Sequence, residues 1–238
     1  MDAHILTLII LFGLTTSVLA EEAYFGFRGI PLDTTLQNVS LMAQGRFERV
    51  LPPTFDEGID LGLIMAGDDE GLRKQSCSIT AASDKRVNCL VTRYSARLVQ
   101  NEWLVKYIGV EQSFNPSVTV SDLMGKILSV YGQPTRSYPQ RLLDMGEYAI
   151  REQNFIWGGT RIPATFSQSW IPFNDAEQIG GKHLTLRIIL SGDGEKIAGY
   201  SLRISDGDFL TRKAQEQARL RALKKKEAER KNASSIAF

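Results

Sequence analysis

The sequence is poor in the residues that build most recognisable chemical sites. Among 238 residues there are two cysteines and two histidines. So few ligands exclude a His- or Cys-rich zinc framework, and a pair of cysteines excludes a disulfide-dense scaffold. Eight prolines and 20 glycines exclude collagen-like and low-complexity chains. Neither sign of charge dominates, since 28 Lys and Arg stand against 27 Asp and Glu. A formal charge of +1 is no footprint for bulk nucleic-acid binding. Long apolar runs are missing apart from one, and a mean hydropathy of -0.15 excludes a polytopic membrane protein. What remains is 43% hydrophobic, enough for a buried core.

The single apolar run opens the chain. Residues Ile5 to Leu14 are mostly aliphatic, and Thr15, Thr16 and Ser17 lead into Val18-Leu19-Ala20. The run is short for a ~30 Å hydrocarbon core, and Val18 and Ala20 supply the small residues a signal peptidase requires before Glu21. Residues 1–20 are therefore expected to be a cleaved signal peptide, although no Lys or Arg precedes the run. The expected product is an exported protein, periplasmic or extracellular, with no transmembrane anchor once the peptide is removed.

Export changes the meaning of the cysteines. In an oxidising compartment Cys77 and Cys89 are expected to pair with each other. Ser83 lies midway between them in the turn-forming Ser83-Asp84-Lys85, so the spacing predicts a hairpin closed by the disulfide. A redox-active pair is disfavoured, because the close C-x-x-C spacing is absent.

The apolar run from Ala23 to Ile30 predicts a strand. Leu32, Leu36 and Val39 recur at helical spacing behind Asp33, which with two threonines supplies an N-cap, so a helix is expected from Asp33 to Gln44. Residues 52–71 give no firm assignment, and residues 101–114 read as a strand. The pattern then restarts. Val120, Leu123, Ile127 and Val130 share one helical face behind Ser121 as cap, and Gly132 and Pro134 stop the helix. Two alternating runs, HLTLRIILS and KIAGYSLRIS, follow around GDGE as a hairpin. The repeated order predicts an α+β fold with antiparallel sheets each packed by one helix. It also suggests a tandem duplication of a helix-plus-hairpin unit, the first over 21–114 and the second over 115–210, with a single larger α+β domain as the alternative.

Residues 211–238 form a basic tail. Residues 211–232 hold nine Lys or Arg against three Glu, a charge of +6, which leaves the body after residue 20 at about -4. Ala214, Ala218 and Ala222 recur at i+4 among charged residues, so a solvated helix is expected.

Chemistry is sparse. His183 is the only histidine after cleavage and is expected at an exposed strand start. Asp56, Glu57, Asp60, Asp68, Asp69 and Glu70 could supply the two carboxylates a glycoside hydrolase needs, but acids among glycines are the ordinary composition of loops. No catalytic residue, metal site or cofactor is assigned. The stretch from Tyr148 to Phe173 holds six aromatics, and its Trp157 and Trp170 are the candidate binding residues, set against a role in filling the core. The function expected is a non-catalytic interaction module for an unknown protein or envelope component, without nucleic acid. The alternative is a carboxylate-dependent hydrolase of an envelope or extracellular polymer. Intact-mass measurement on exported protein is expected to find a chain beginning at Glu21.

Overall fold

A computed structural model describes residues 24–77, 87–144, 149–168, 172–191 and 194–234. The expected signal peptide, the turn at Ser83 and Trp170 lie outside these residues. In chain order the elements are β1 (Gly26–Phe27), β2 (Ile30–Pro31), α1 (Leu36–Ala43), β3 (Arg49–Val50), β4 (Thr54–Asp56), β5 (Leu61–Gly67) and α2 (Asp69–Lys74). Next come β6 (Cys89–Val99), β7 (Glu102–Thr119), α3 (Val120–Tyr131), β8 (Arg136–Ser137), β9 (Arg141–Asp144) and β10 (Ala149–Gly158). The chain ends with α4 (Pro172–Ile179), β11 (Lys182–Leu190), β12 (Lys196–Asp206) and α5 (Gly207–Ser234).

The fold is mixed α+β, with five α-helices and antiparallel sheets that do not close into a barrel. Where separate sheets were expected, one sheet of ten strands runs through both halves in the order β3-β5-β6-β7-β12-β11-β10-β8, with β4 beside β5 and β9 beside β10. The halves meet where β7 pairs with β12, Gly109 opposite Arg203 and Val110 opposite Leu202.

Both long-range helices lie on one face of this sheet. On α1, Leu36, Val39 and Ala43 are buried, and on α3 so are Leu123 and Ile127, against Ile64, Tyr94, Ile108, Leu186 and Leu202 of the strands. Each fully buried Leu or Ile stabilises by about 1.5–3 kcal/mol relative to exposure. Val130, expected on the inner face of α3, is 55% exposed. The helical period carries the stripe from Val120 through Met124 and Ile127 to Tyr131, whose hydroxyl donates to the Gly26 carbonyl at 2.7 Å.

The helix caps differ from those expected. Thr35 and Thr119 are the N-caps, accepting from the backbone N–H of Asn38 and Asp122. Asp33 cannot cap α1, because its backbone is left-handed at φ 66 and its carboxylate turns to Lys106 and Lys182. Ser121 already lies inside the first turn of α3. The strand expected over 23–30 is instead the tight hairpin of β1 and β2, turned by Arg28 and Gly29 at φ 50 and 73.

Cys77 and Cys89 are joined by a disulfide, with Cα atoms 5.7 Å apart. Only Cys89 is on a strand. Cys77 follows α2, so the bond ties the segment after that helix to the start of β6. The hairpin of this half is formed by β6 and β7, which pair from Cys89 opposite Ser113 to Val99 opposite Glu102. Its turn residues Gln100 and Asn101 both have positive φ, as a type I′ turn requires.

The basic tail is helical from Gly207. Its first turns pack on α4 and β12, burying Leu210, and Gln217 donates to the Ile59 carbonyl at 3.4 Å. Beyond Ala218 the described side chains are exposed. Truncation after Ala218 is therefore expected to leave the thermal midpoint within a few degrees. Truncation after Asp208, which removes buried Leu210, is expected to cost about 2–5 kcal/mol by denaturant titration.

Candidate functional site

Alternation along the strands sends one set of side chains into the helix-covered core and the other to the opposite face. That second face is unusually polar. Across its centre, Gly109 of β7 pairs with Arg93 of β6 on one side and Arg203 of β12 on the other. In the next row Tyr107 pairs with Ser95 and Ser205, and in the row before it Glu111 pairs with Val91 and Ser201. With no side chain at Gly109, the Tyr107 ring lies over the backbone there, between two arginine-bearing strands about 10 Å apart, twice the strand spacing. The resulting pocket has a volume of about 380 Å³ and is lined also by Leu61 and Leu210.

Each guanidinium is held in place. Arg93 donates to Glu111 Oε1 at 3.1 Å and to the Gln75 carbonyl. Arg203 donates to Asp175 Oδ2 at 2.7 Å, and Asp175, in the first turn of α4, is almost wholly buried. Arg97, on the rim, donates to the Ile59 carbonyl at 2.7 Å. Burial draws the Arg97 guanidinium below its usual range against the opposing charge of Asp60, yet an arginine stays protonated at neutral pH. Glu111 lines the pocket, but its carboxylate is engaged. Its Oε2 accepts from Ser76 Oγ and the Cys77 amide, both at 3.0 Å, so the carboxylate is turned toward the disulfide.

Tyr107 leans over the floor. A Cβ built on Gly109 would lie 2.7 Å from the Tyr107 hydroxyl, so only glycine lets the ring settle there. Burial pushes the phenol up to about 12, against the lowering charges of Arg203 and Arg93. The hydroxyl is thus protonated at neutral pH, and it makes no hydrogen bond to the described residues.

Beyond β12 the same polar face is covered. Gln168 reaches Thr185 Oγ1 at 2.9 Å and the Ser201 carbonyl at 3.3 Å. Beneath this cover Glu152 is completely buried, bonded by Arg187, by Arg141 at 2.7 Å, and by Asn154 and Ser167 at 3.0 Å each. Burial alone would raise its carboxyl, but these partners outweigh burial and hold it below the usual range. The cluster is saturated and structural in character.

The residues singled out in the sequence lie elsewhere. Trp157 is buried in the core, and its indole nitrogen donates to the Gly132 carbonyl at 2.9 Å. Of the six acids, Asp56, Asp60 and Asp68 do turn and capping work. Asp56 accepts from Gly58, Asp68 caps α2 through Gly71 and also accepts from Leu90, and Asp60 ends a short 3-10 turn. Asp69 pairs with Arg49, and Glu70 with Arg73 and Lys74. Among the described residues no group of three or more His, Cys, Asp or Glu is placed to hold a metal ion. The pocket arginines were not singled out in the sequence; the alternation of Arg93, Ser95 and Arg97 was the one local signal, and nothing local told which strand Arg203 would face.

His183 starts β11 as expected but is 1% exposed, not open to solvent. It lies beneath the start of α5, with Cε1 3.0 Å from where a Gly207 Cβ would stand. Its Nδ1 faces the Gly180 and Gly181 carbonyls, both at 3.1 Å, and therefore carries the proton. Nε2 is left as a buried acceptor without a partner.

No protein-family model matches the chain, no curated protein matches it, and no solved structure matches its fold.

Burial pushes His183 below its ordinary 6.5, despite the raising influence of both carbonyls and of Asp206 and Asp208. The unfolded chain then takes up the proton first. Stability is full above the unfolded value and falls as pH drops through it toward the lower folded value. Chemical denaturation between pH 7 and pH 5 is expected to show this loss, about 1.4 kcal/mol per unit of depression, and His183→Asn to flatten it.

Proposed function

We propose that the chain is an exported, non-catalytic binding module whose ligand, a protein or envelope component, engages the open centre of the sheet's polar face. The observation that carries this reading is the pocket floored by Gly109 and rimmed by Arg93, Arg97 and Arg203. Its side chains are fixed by neighbours before any ligand arrives, which lowers the entropy cost of binding. The disulfide supports export, since such bonds persist in oxidising compartments. Among the described residues no helix is long and apolar enough to cross a membrane.

The element order supports a tandem duplication. Each half runs as a helix, two short edge strands, a long strand, a short helix and a long hairpin. In both, the first edge strand pairs with the far end of the long strand, Ala66 and Gly67 in one and Phe155 and Ile156 in the other. The residue just before each of those pairs faces an arginine, Met65 opposite Arg93 and Asn154 opposite Arg187. The two arginines are thus equivalent. Arg187 is buried against Glu152, whereas Arg93 lines the pocket.

Residues 21–238 incubated with envelope extract test the reading. A retained, chemically unaltered ligand is expected, lost in a Ser95→Phe variant that fills the pocket while its far-UV circular dichroism stays that of the parent. Turnover of polymer would favour a hydrolase instead.

A further inference from the structure

The pocket's charge points to a class of ligand, an inference that rests on the binding-module reading above. Three arginines and one acid line it, a balance of +2. The one acid, Glu111, has both oxygens engaged, Oε1 by Arg93 and Oε2 by Ser76 and Cys77, so its charge is directed away from the floor. Asp175, in the first turn of α4, pairs with Arg203 at 2.7 Å. The side chains of Arg93 and Arg203 line the pocket from the strands on either side of Gly109, together with Tyr107, a phenol with no acceptor among the described residues. A planar guanidinium is suited to grip a carboxylate or phosphate through paired bonds. Serines 95 and 201 add hydroxyls at the floor, while Leu61 and Leu210 offer an apolar wall. A volume of about 380 Å³ is that of a site for a small organic molecule.

We propose that this slot binds the oxyanion group of a small organic anion, held between Arg93 and Arg203 over Gly109, with the ligand's apolar body against Leu61 and Leu210. Tyr107 donates its hydroxyl to the same oxyanion. Arg97 stands at the mouth, where its charge attracts the ligand and its contact is weakened by salt. Asp175 and Glu111 are positioning residues, fixing the two guanidinium planes. The geometry also explains Gly109. A methyl group there would push Tyr107 aside, and with it the hydroxyl that donates to the oxyanion.

The test is amide-detected NMR titration of the purified chain with its disulfide intact. The probes are sodium benzoate, phenyl phosphate and inorganic phosphate, with benzyl alcohol as the neutral and benzamidine as the cationic control. The expected result is saturable shifts at the Gly109 amide and neighbouring positions for the aryl anions, weaker for inorganic phosphate and absent for the controls. A preference between benzoate and phenyl phosphate identifies which oxyanion the slot favours. Arg93→Gln is expected to weaken binding about tenfold, the loss of one charged hydrogen-bonded contact. Gly109→Ala is expected to weaken it as well without removing any charge, and keeps the test valid if Arg93→Gln unfolds. If benzyl alcohol or benzamidine binds as well as the anions, the oxyanion assignment is overturned and the pocket survives as a binding site. If none of the probes perturbs the pocket amides, the assignment falls. Loss of envelope-ligand retention in Ser95→Phe would then still uphold the binding module, and its persistence would overturn that reading too.

Discussion

The pairing of β7 with β12 is the contact on which the rest of the molecule depends. It joins two sets of strands whose own turns are local, and it does so across about 90 residues of chain. Tyr107 to Ser113 pair residue by residue with Ser205 to Gly199. One consequence is a single core under α1 and α3, because Ile108 and Val110 from one half and Leu202 and Ile204 from the other lie in one row. The other consequence is the candidate site. Arg93 and Arg203 come from different halves and reach a common pocket only because Gly109 pairs with both. A slip of one residue at this seam would turn every one of these side chains to the wrong face.

The two halves treat their polar faces differently. Around β11 the face is sealed by Gln168, Asp175 and the Glu152 cluster, and its charges are paired with one another while buried. Around β6 the comparable arginine is held by Glu111 and remains at a cavity. Buried ion pairs of the first kind add little net stability but are costly to break. Partly exposed ones of the second kind leave donors within reach of a ligand. The same polar pattern of alternation therefore serves structure in one half and supports recognition in the other.

Much of the fold was legible in the sequence, and the reasons are local. The helix at Leu123 and Ile127 and the hairpin of β11 and β12 carry strong periodicity bounded by glycine, and both stand where they were expected. The disulfide followed from a count of two cysteines. What could not be read depended on distant partners. Asp33 has the chemistry of a cap but is drawn off by Lys106 and Lys182, which are 73 and 149 residues away. His183 is polar and beside two glycines, signs of exposure, yet the start of α5 folds over it. β6 was hidden because its arginines and serines look like a surface segment, whereas a strand between β5 and β7 carries them on one face only. The pocket combines residues from three strands and was invisible for the same reason.

Strand β12 runs into α5 without a connecting loop, since Asp206 ends the strand and Gly207 begins the helix. The helix direction is thereby fixed by the sheet, and 28 residues at helical rise extend it about 42 Å. A body of negative charge thus carries its positive charge on a rigid arm of fixed heading. The separation gives the molecule a large permanent dipole moment, so that near any charged surface it turns to a preferred orientation before contact is made. At low ionic strength the slot above Gly109 would arrive already facing a defined way.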